Sequence, residues 1–382
     1  MRRQFLLQSA YTSALALGLF PARGQGQSQD QGQATGYPAV LPRPLVFPRD
    51  YGAHPAFRTE WWYLTAWLDR GPGLGPVGFQ YTFFRSRTAH SEANPSRFAP
   101  RQLLFAHLAL AMPENGRLLH YDRVARVGPG GVGFSTENTA LQLEDWQFSR
   151  DRQHRYQAQA QTADFSLRFT AQAQALPMLR GRNGVSAKGP SPSLASYYYS
   201  AVRLPIQLAC RAAPGSTVAS FEAQGLAWLD HEWSSSLLAP GAVGWDWIGI
   251  HLFDGGSLMA FRIRRADGTP VWQVWDWREA SGQPRLMAGD AQGSADVEWQ
   301  PEDYWQSHRS GARYPIAFLL RTPQRTPQRE WRIRPLMPNQ EVDARASTGG
   351  FYWEGAVVLE FQGKPIGRGY LELTGYAQPL TL

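Results

Sequence analysis

Three short segments carry side chains whose types and spacing could do chemistry. The first runs from Phe47 to Tyr63 and holds Asp50, His54, Arg58 and Glu60 ahead of Trp61-Trp62-Tyr63. His54 precedes Pro55, which biases it toward extended backbone. If a strand begins near Arg58, then Arg58, Glu60, Trp62 and Leu64 share one face, and the arginine and glutamate form half of a charge network. The second segment is Trp228-Leu229-Asp230-His231-Glu232-Trp233. On a strand, Trp228, Asp230 and Glu232 point one way and Leu229, His231 and Trp233 the other. Two carboxyls beside aromatic walls favour one raised pKa and one ordinary one, which is what general acid–base catalysis needs. The third, Tyr197-Tyr198-Tyr199-Ser200-Ala201-Val202-Arg203, is a phenol-rich strand ending in a guanidinium. Each segment also has a plainer reading. Arginine–glutamate pairs pin strands together, Tyr and Trp strands fill cores, and His231 taken alone is more simply structural.

Strands must position these groups, because past residue 40 the dominant period is two. Val77, Phe79, Tyr81 and Phe83 alternate with Gly78, Gln80, Thr82 and Phe84; Phe165, Leu167 and Phe169 alternate with Ser166, Arg168 and Thr170. Trp272, Val274 and Asp276 oppose Val271, Gln273, Trp275 and Trp277. Further strands are expected over 60–68, 103–112, 197–204, 218–229, 245–253, 257–264, 351–361 and 368–376. Turn dipeptides separate them, among them Asn115-Gly116, Asp254-Gly255 and Asp267-Gly268. No long helical stripe is present. Many short strands imply sandwiches or barrels, and a barrel leaves a mouth that suits a ligand. Trp61-Trp62-Tyr63-Leu64 and Trp245-Asp246-Trp247-Ile248 hint at symmetry between two halves, with a boundary near 234–243.

The 382 residues are 43% apolar and 18% charged, which excludes a disordered chain and a single small domain. Aromatic residues at 13%, with 37 Gly and 28 Pro, favour strands and turns. A single cysteine, Cys210, excludes an intrachain disulfide framework and multi-cysteine metal sites. The formal charge is +7, but Lys188 and Lys364 are the only lysines, so 36 of the 38 basic residues are scattered arginines. No basic helix or aromatic RNA-binding motif accompanies them, so nucleic acid is not an expected partner. Two glycine-rich matches to the dinucleotide fingerprint, at Gly73–Gly78 and Gly128–Gly133, read as hairpin turns. No G-x-S-x-G, H-E-x-x-H or P-loop occurs, and the 8 histidines show no paired ligand spacing. Neither a metal nor another cofactor is expected.

Met1 to Gly24 reads as an export signal. Arg2-Arg3-Gln4-Phe5-Leu6 is a twin-arginine pattern, followed by a weakly apolar stretch to Phe20. Residues 25–40 read as a Gln/Gly/Ser-rich linker, 41–236 as an N-terminal barrel and 237–382 as a C-terminal one. Removing the signal takes away Arg2, Arg3 and Arg23, leaving about +4 (7 minus 3). The expected location is periplasmic or secreted.

The combination His54-Pro55-x-x-Arg58-x-Glu60-Trp61-Trp62-Tyr63, Tyr198-Tyr199-Ser200 and Trp228-x-Asp230-His231-Glu232-Trp233 resembles the carotenoid 1,2-hydratase (hydroxyneurosporene synthase) superfamily, and within it the bacterial predicted secreted hydrolases. The resemblance spans roughly residues 45 to 378. It implies an all-β chain of two tandem lipocalin-like antiparallel β-barrels with a cavity near their junction. It also implies cofactor-free addition of water across a double bond, with the candidate acid in the Asp230–Glu232 segment. Such chemistry needs a proton donor in an apolar pocket, stabilisation of a carbocation and controlled entry of water. The catalytic candidates are Asp230, Glu232, Glu60 and His231. The substrate-binding candidates are His54 and Arg58, which would orient the carboxylates, and Trp62, Tyr198, Trp228 and Trp245, which would face the substrate. The expected partner is an apolar, isoprenoid or lipid-like small molecule. The competing expectation is a non-catalytic carrier of apolar ligands serving a membrane transporter, and a third is a cofactorless isomerase or cyclase.

Overall fold

The computed structural model of the chain describes residues 36–90, 94–96, 98–128, 130–236, 238–283, 297–321 and 330–380. The export signal and most of the linker expected above fall outside the described residues. Thirteen strands form the first sheet. They are β1 (Thr59–Asp69), β2 (Val77–Arg87), β3 (Gln102–Met112), β4 (Arg117–Arg126), β5 (Val132–Phe134), β6 (Ala140–Leu143), β7 (Trp146–Arg150), β8 (Arg155–Gln161), β9 (Phe165–Gln172), β10 (Met178–Leu179), β11 (Val185–Ala187), β12 (Ala195–Ala212) and β13 (Phe221–Ser234). Nine more form the second: β14 (Gly244–Leu252), β15 (Ser257–Arg264), β16 (Pro270–Arg278), β17 (Glu298–Gln306), β18 (Arg313–Arg321), β19 (Glu330–Pro335), β20 (Glu341–Asp343), β21 (Phe351–Phe361) and β22 (Lys364–Leu373). The protein is all-β. The first sheet is a nearly closed barrel and the second a half-barrel, in keeping with two tandem lipocalin-like barrels.

The first sheet runs β4-β3-β2-β1-β13-β12-β9-β8-β7-β6-β5, and the second runs β16-β15-β14-β22-β21-β19-β18-β17. The period of two decides what each face buries. On β1, Trp62, Leu64, Ala66 and Leu68 enter the barrel core with Phe79, Tyr81 and Phe83 of β2. Ile248, Ile250, Trp275, Trp277, Trp331, Trp353 and Leu371 fill the second core. The opposite rows are buried as well, because the two sheets cover each other's outer faces. Tyr63, Trp67, Tyr198 and Trp228 of the first sheet pack against Trp247, Met259, Phe261, Ile263, Ala356 and Tyr370 of the second. Gly78 permits this approach: a Cβ there would stand 2.8 Å from the Ala356 Cβ and 2.9 Å from the Tyr370 hydroxyl.

Two local readings of the sequence are corrected. The strand expected over 218–229 is β13, Phe221–Ser234, so it carries Asp230, His231 and Glu232 within the ladder. Arg58 stands one residue before β1, and the cation that pairs with Glu60 is Arg85 of β2; the Arg58 guanidinium lies 5.9 Å from the Tyr37 ring.

Candidate active site

The outer faces of β12 and β13 form one wall of the junction. The register sets Asp230 of β13 opposite Tyr63 of β1 and Ser200 of β12, and Glu232 opposite Tyr198. The Tyr198 hydroxyl donates to Asp230 Oδ2 at 2.6 Å and Trp228 Nε1 to Oδ1 at 2.7 Å; the Ser200 hydroxyl is a third donor. Behind Ser200, the fully buried Arg180 donates through Nε at 2.7 Å and pairs with Asp276 at 2.6 Å. Burial pushes Asp230 up to about 6, although Arg180 and the three donors all favour the anion. Glu232 pairs with the Lys188 ammonium at 2.8 Å, which lies over the Phe261 and Tyr198 rings at 4.2 and 4.8 Å.

The facing wall belongs to the second sheet. Glu354 of β21 is directly opposite Glu372 of β22, which is opposite Trp247 of β14. Trp245 Nε1 donates to Glu372 Oε2 at 3.1 Å. Neither the buried Glu354 oxygens nor the Tyr63 hydroxyl makes a well-aligned hydrogen bond, although the Tyr63 and Tyr352 hydroxyls lie near enough to favour the Glu354 anion. Burial, then the Glu372 charge, holds the Glu354 carboxyl well above the carboxylate range. Burial pushes Glu372 up to about 7 against the Trp245 hydrogen bond, with Asp230, Glu232 and Asp246 adding to the rise. Trp67 Nε1, Gln80 Oε1, Arg180 Nη2, His251 Nδ1 and Trp272 Nε1 are also buried and unpartnered. Buried polar groups are ordinarily satisfied, so these atoms leave the junction with hydrogen-bonding capacity to spare.

A second network lies on the inner face of the first sheet. Glu60 Oε1 is 2.7 Å from His54 Nδ1 and 2.8 Å from His231 Nε2, while Oε2 accepts from Arg85 Nε and the His54 amide, each at 2.8 Å. Asp50 holds His54 Nε2 at 3.2 Å, and the Tyr199 hydroxyl meets His231 Nδ1 at 2.8 Å. Burial opposes charge on His54, but Glu60 and Asp50 raise its pKa; burial pushes His231 down to about 4. Burial also opposes charge on Glu60, yet His54, Arg85 and His231 hold it below its usual range. One ligand atom each from His54, Glu60 and His231 lies within 4.8 Å of the others, a set that sequence spacing could not reveal. Those atoms already bond one another, and the Arg85 guanidinium opposes a cation, so the arrangement reads as a strand-pinning ion network. Trp62 stacks on His231 at 4.5 Å and Trp233 on His54 at 3.7 Å.

The AttH-like family model matches residues 38–376. The chain belongs to the AttH-like family. An AttH-type protein from Nitrosomonas europaea, solved at 2.00 Å, is 43% identical over 89% of this chain and 99% of that chain, with a TM-score of 0.78. Kievitone hydratase from Nectria haematococca has the same fold at 11% identity, over 90% of this chain and 95% of that chain, with a TM-score of 0.61. No curated protein matches the chain.

In this AttH-like protein the junction gathers Asp230, Glu232, Tyr198, Trp228 and Trp245. Glu60, His231, His54 and Trp62 belong to the other side of the first sheet, and the Arg58 guanidinium lies beside the Tyr37 ring. The sequence reading named none of Glu354, Glu372, Tyr63, Arg180, Lys188 or Arg85 as a catalytic or substrate-binding candidate. A lone glutamate alternating with apolar residues looks like a solvent-facing position, and only the packing of one sheet on the other shows otherwise. At one end of the second sheet an apolar cleft of about 360 Å³ is lined by Leu252, Phe253, Asp254, Trp277, Trp331, Phe361, Pro365 and Ile366.

Proposed function

We propose that this protein is a hydratase-type enzyme that adds water to, or removes it from, an apolar unsaturated substrate by acid–base chemistry at the junction. The observation that carries this reading is the placement of buried Asp230 and Glu354 and half-buried Glu372 between facing aromatic walls, with all three carboxyl pKa values raised. In the hydration direction, a neutral carboxyl gives its proton to one alkene carbon. Water oxygen bonds to the neighbouring cationic carbon and releases a proton to ionised Asp230, which passes it back to the donor. Tyr198 and Trp228 orient Asp230, and the rings of Tyr63, Trp228 and Trp247 face the cation. None of these steps calls on a metal or another cofactor. The hydratase named among the fold relatives is consistent with this reading. The test is incubation with isoprenoid and unsaturated lipid alkenes in ¹⁸O-labelled water: the expected product carries the label, and Asp230→Asn loses it. Unlabelled product, or full turnover by the variant, refutes the proposal.

The apolar cleft beside Trp277 and Trp331 favours a second reading, a carrier of apolar ligands passing them to a membrane transporter. Native mass spectrometry distinguishes the two, because a carrier returns its lipid chemically unchanged. Either role would be exercised outside the cytoplasm if residues 1–24 direct twin-arginine export. Retention of the R2K/R3K variant in the cytoplasm is the expected outcome.

A further inference from the structure

We infer that Glu354 and Glu372 hold one proton between them and are the proton donor of the junction site, reloaded from the surface through His107 and Tyr352. The inference relies on the hydratase reading only for what the proton is used for.

The strand register makes the two glutamates direct cross-strand neighbours, with side chains on the face turned to the first sheet. Directly opposed residues bring their Cβ atoms to about 5 Å, and two carboxylates that close in a dry site cannot both ionise. The groups that act on them do not supply a compensating cation. From the first sheet these are Tyr63 of β1 and Asp230 and Glu232 of β13; from the second they are Trp245 and Asp246 of β14, Tyr352 of β21 and Tyr370 of β22. The nearby cations are committed elsewhere, Lys188 to Glu232 and Arg180 to Asp276. Glu354 makes no well-aligned hydrogen bond, but the Tyr63 and Tyr352 hydroxyls lie near enough to act on it, so Tyr352 is the group that can hand it a proton. Two carboxyls sharing one proton are an established way to keep an acid loaded at neutral pH.

A route connects the pair to solvent. The Tyr352 hydroxyl lies two residues from Glu354 on the same strand face and 2.8 Å from His107 Nδ1. His107 Nε2 is 2.8 Å from the Ser347 hydroxyl, in the half-buried turn before β21. His107 is fully buried, and burial, then the neighbouring His120, keeps it neutral. A neutral imidazole with both nitrogens engaged can accept a proton on one and release it from the other. The sequence Ser347, His107, Tyr352, Glu354 therefore crosses from the surface, through the first sheet's outer face, to the carboxyl pair.

Infrared spectroscopy of the full chain tests this without a substrate. At pH 7 the wild-type protein is expected to show a protonated-carboxyl carbonyl band that shifts in D₂O and is lost or displaced in both E354Q and E372Q, but persists in D230N. Tyr352→Phe and His107→Gln are expected to slow deuteration of that band by about tenfold or more. No such band in the wild-type protein at pH 7, or a band indifferent to both glutamine variants, overturns the shared proton. Deuteration at the wild-type rate in both Y352F and H107Q overturns the relay. Lack of turnover with every alkene tried, with the band present, would count against the hydratase reading and leave the proton pair standing.

Discussion

Glu372→Gln is expected to stabilise the protein, and to do so more strongly as the pH rises. The glutamine amide has the shape of a protonated carboxyl and still accepts from Trp245 Nε1, now 3.1 Å from Glu372 Oε2. Burial and the neighbouring carboxylates push Glu372 up to about 7, from about 4.5 for a free glutamate. A carboxyl raised in the fold binds its proton at pH values where the unfolded chain has released it. The native state therefore loses stability as pH climbs from the unfolded value through the folded one. Integrating over these two values gives a cost of about 1 kcal/mol at pH 5 and about 3 kcal/mol at pH 8. The gain from E372Q should follow the same course. His231, pushed down to about 4, acts in the opposite direction over part of this range, since its contribution is lost as pH falls below 6.5. Subtracting wild type from variant at each pH cancels it. The assay is urea unfolding at pH 5, 6.5 and 8, followed by tryptophan fluorescence. A difference that is flat with pH, or a variant less stable than wild type at pH 8, refutes the reasoning.

Asp230→Asn places an amide among three donors, so it should cost about 1–3 kcal/mol of stability and most of the turnover, read by urea unfolding and product formation. Glu60→Gln breaks the buried Arg85 pair on the opposite face. About 3–5 kcal/mol should be lost in the same unfolding assay, with the infrared carboxyl band unchanged. Gly78→Val would drive a side chain against Ala356 and Tyr370, and a loss of about 1–3 kcal/mol or more is expected from the unfolding midpoint. Trp331→Ala should weaken uptake of an apolar fluorescent probe by the cleft while leaving the protonated-carboxyl band in place.

The period of two made the strands legible, and with them the division of Trp228, Asp230 and Glu232 from Leu229, His231 and Trp233. That division holds because β13 pairs without interruption with β1 through this stretch. Glu60 was legible as a charge-network residue, but its cation was not. Arg85 reaches it from β2, 25 residues away, whereas Arg58 is close in sequence and precedes the strand. Glu354 and Glu372 lie in segments correctly read as strands, but nothing along either strand says that another sheet covers that face. Arg180 and Lys188 directly follow the short strands β10 and β11, where no periodicity announces an inward-pointing cation. Local alternation therefore conveys which residues share a face, whereas the partner of that face is a property of tertiary docking.

The reacting groups are divided along a seam between two sheets, with Asp230 on one bank and Glu354 and Glu372 on the other. Neither half could be transplanted or evolve a new specificity alone, because the acids of one would then confront a foreign surface. Variation that changes what this protein accepts should therefore arise as compensating pairs, such as Tyr63 with Glu354 or Trp228 with Trp247, and isolated halves should be sticky fragments without activity of their own.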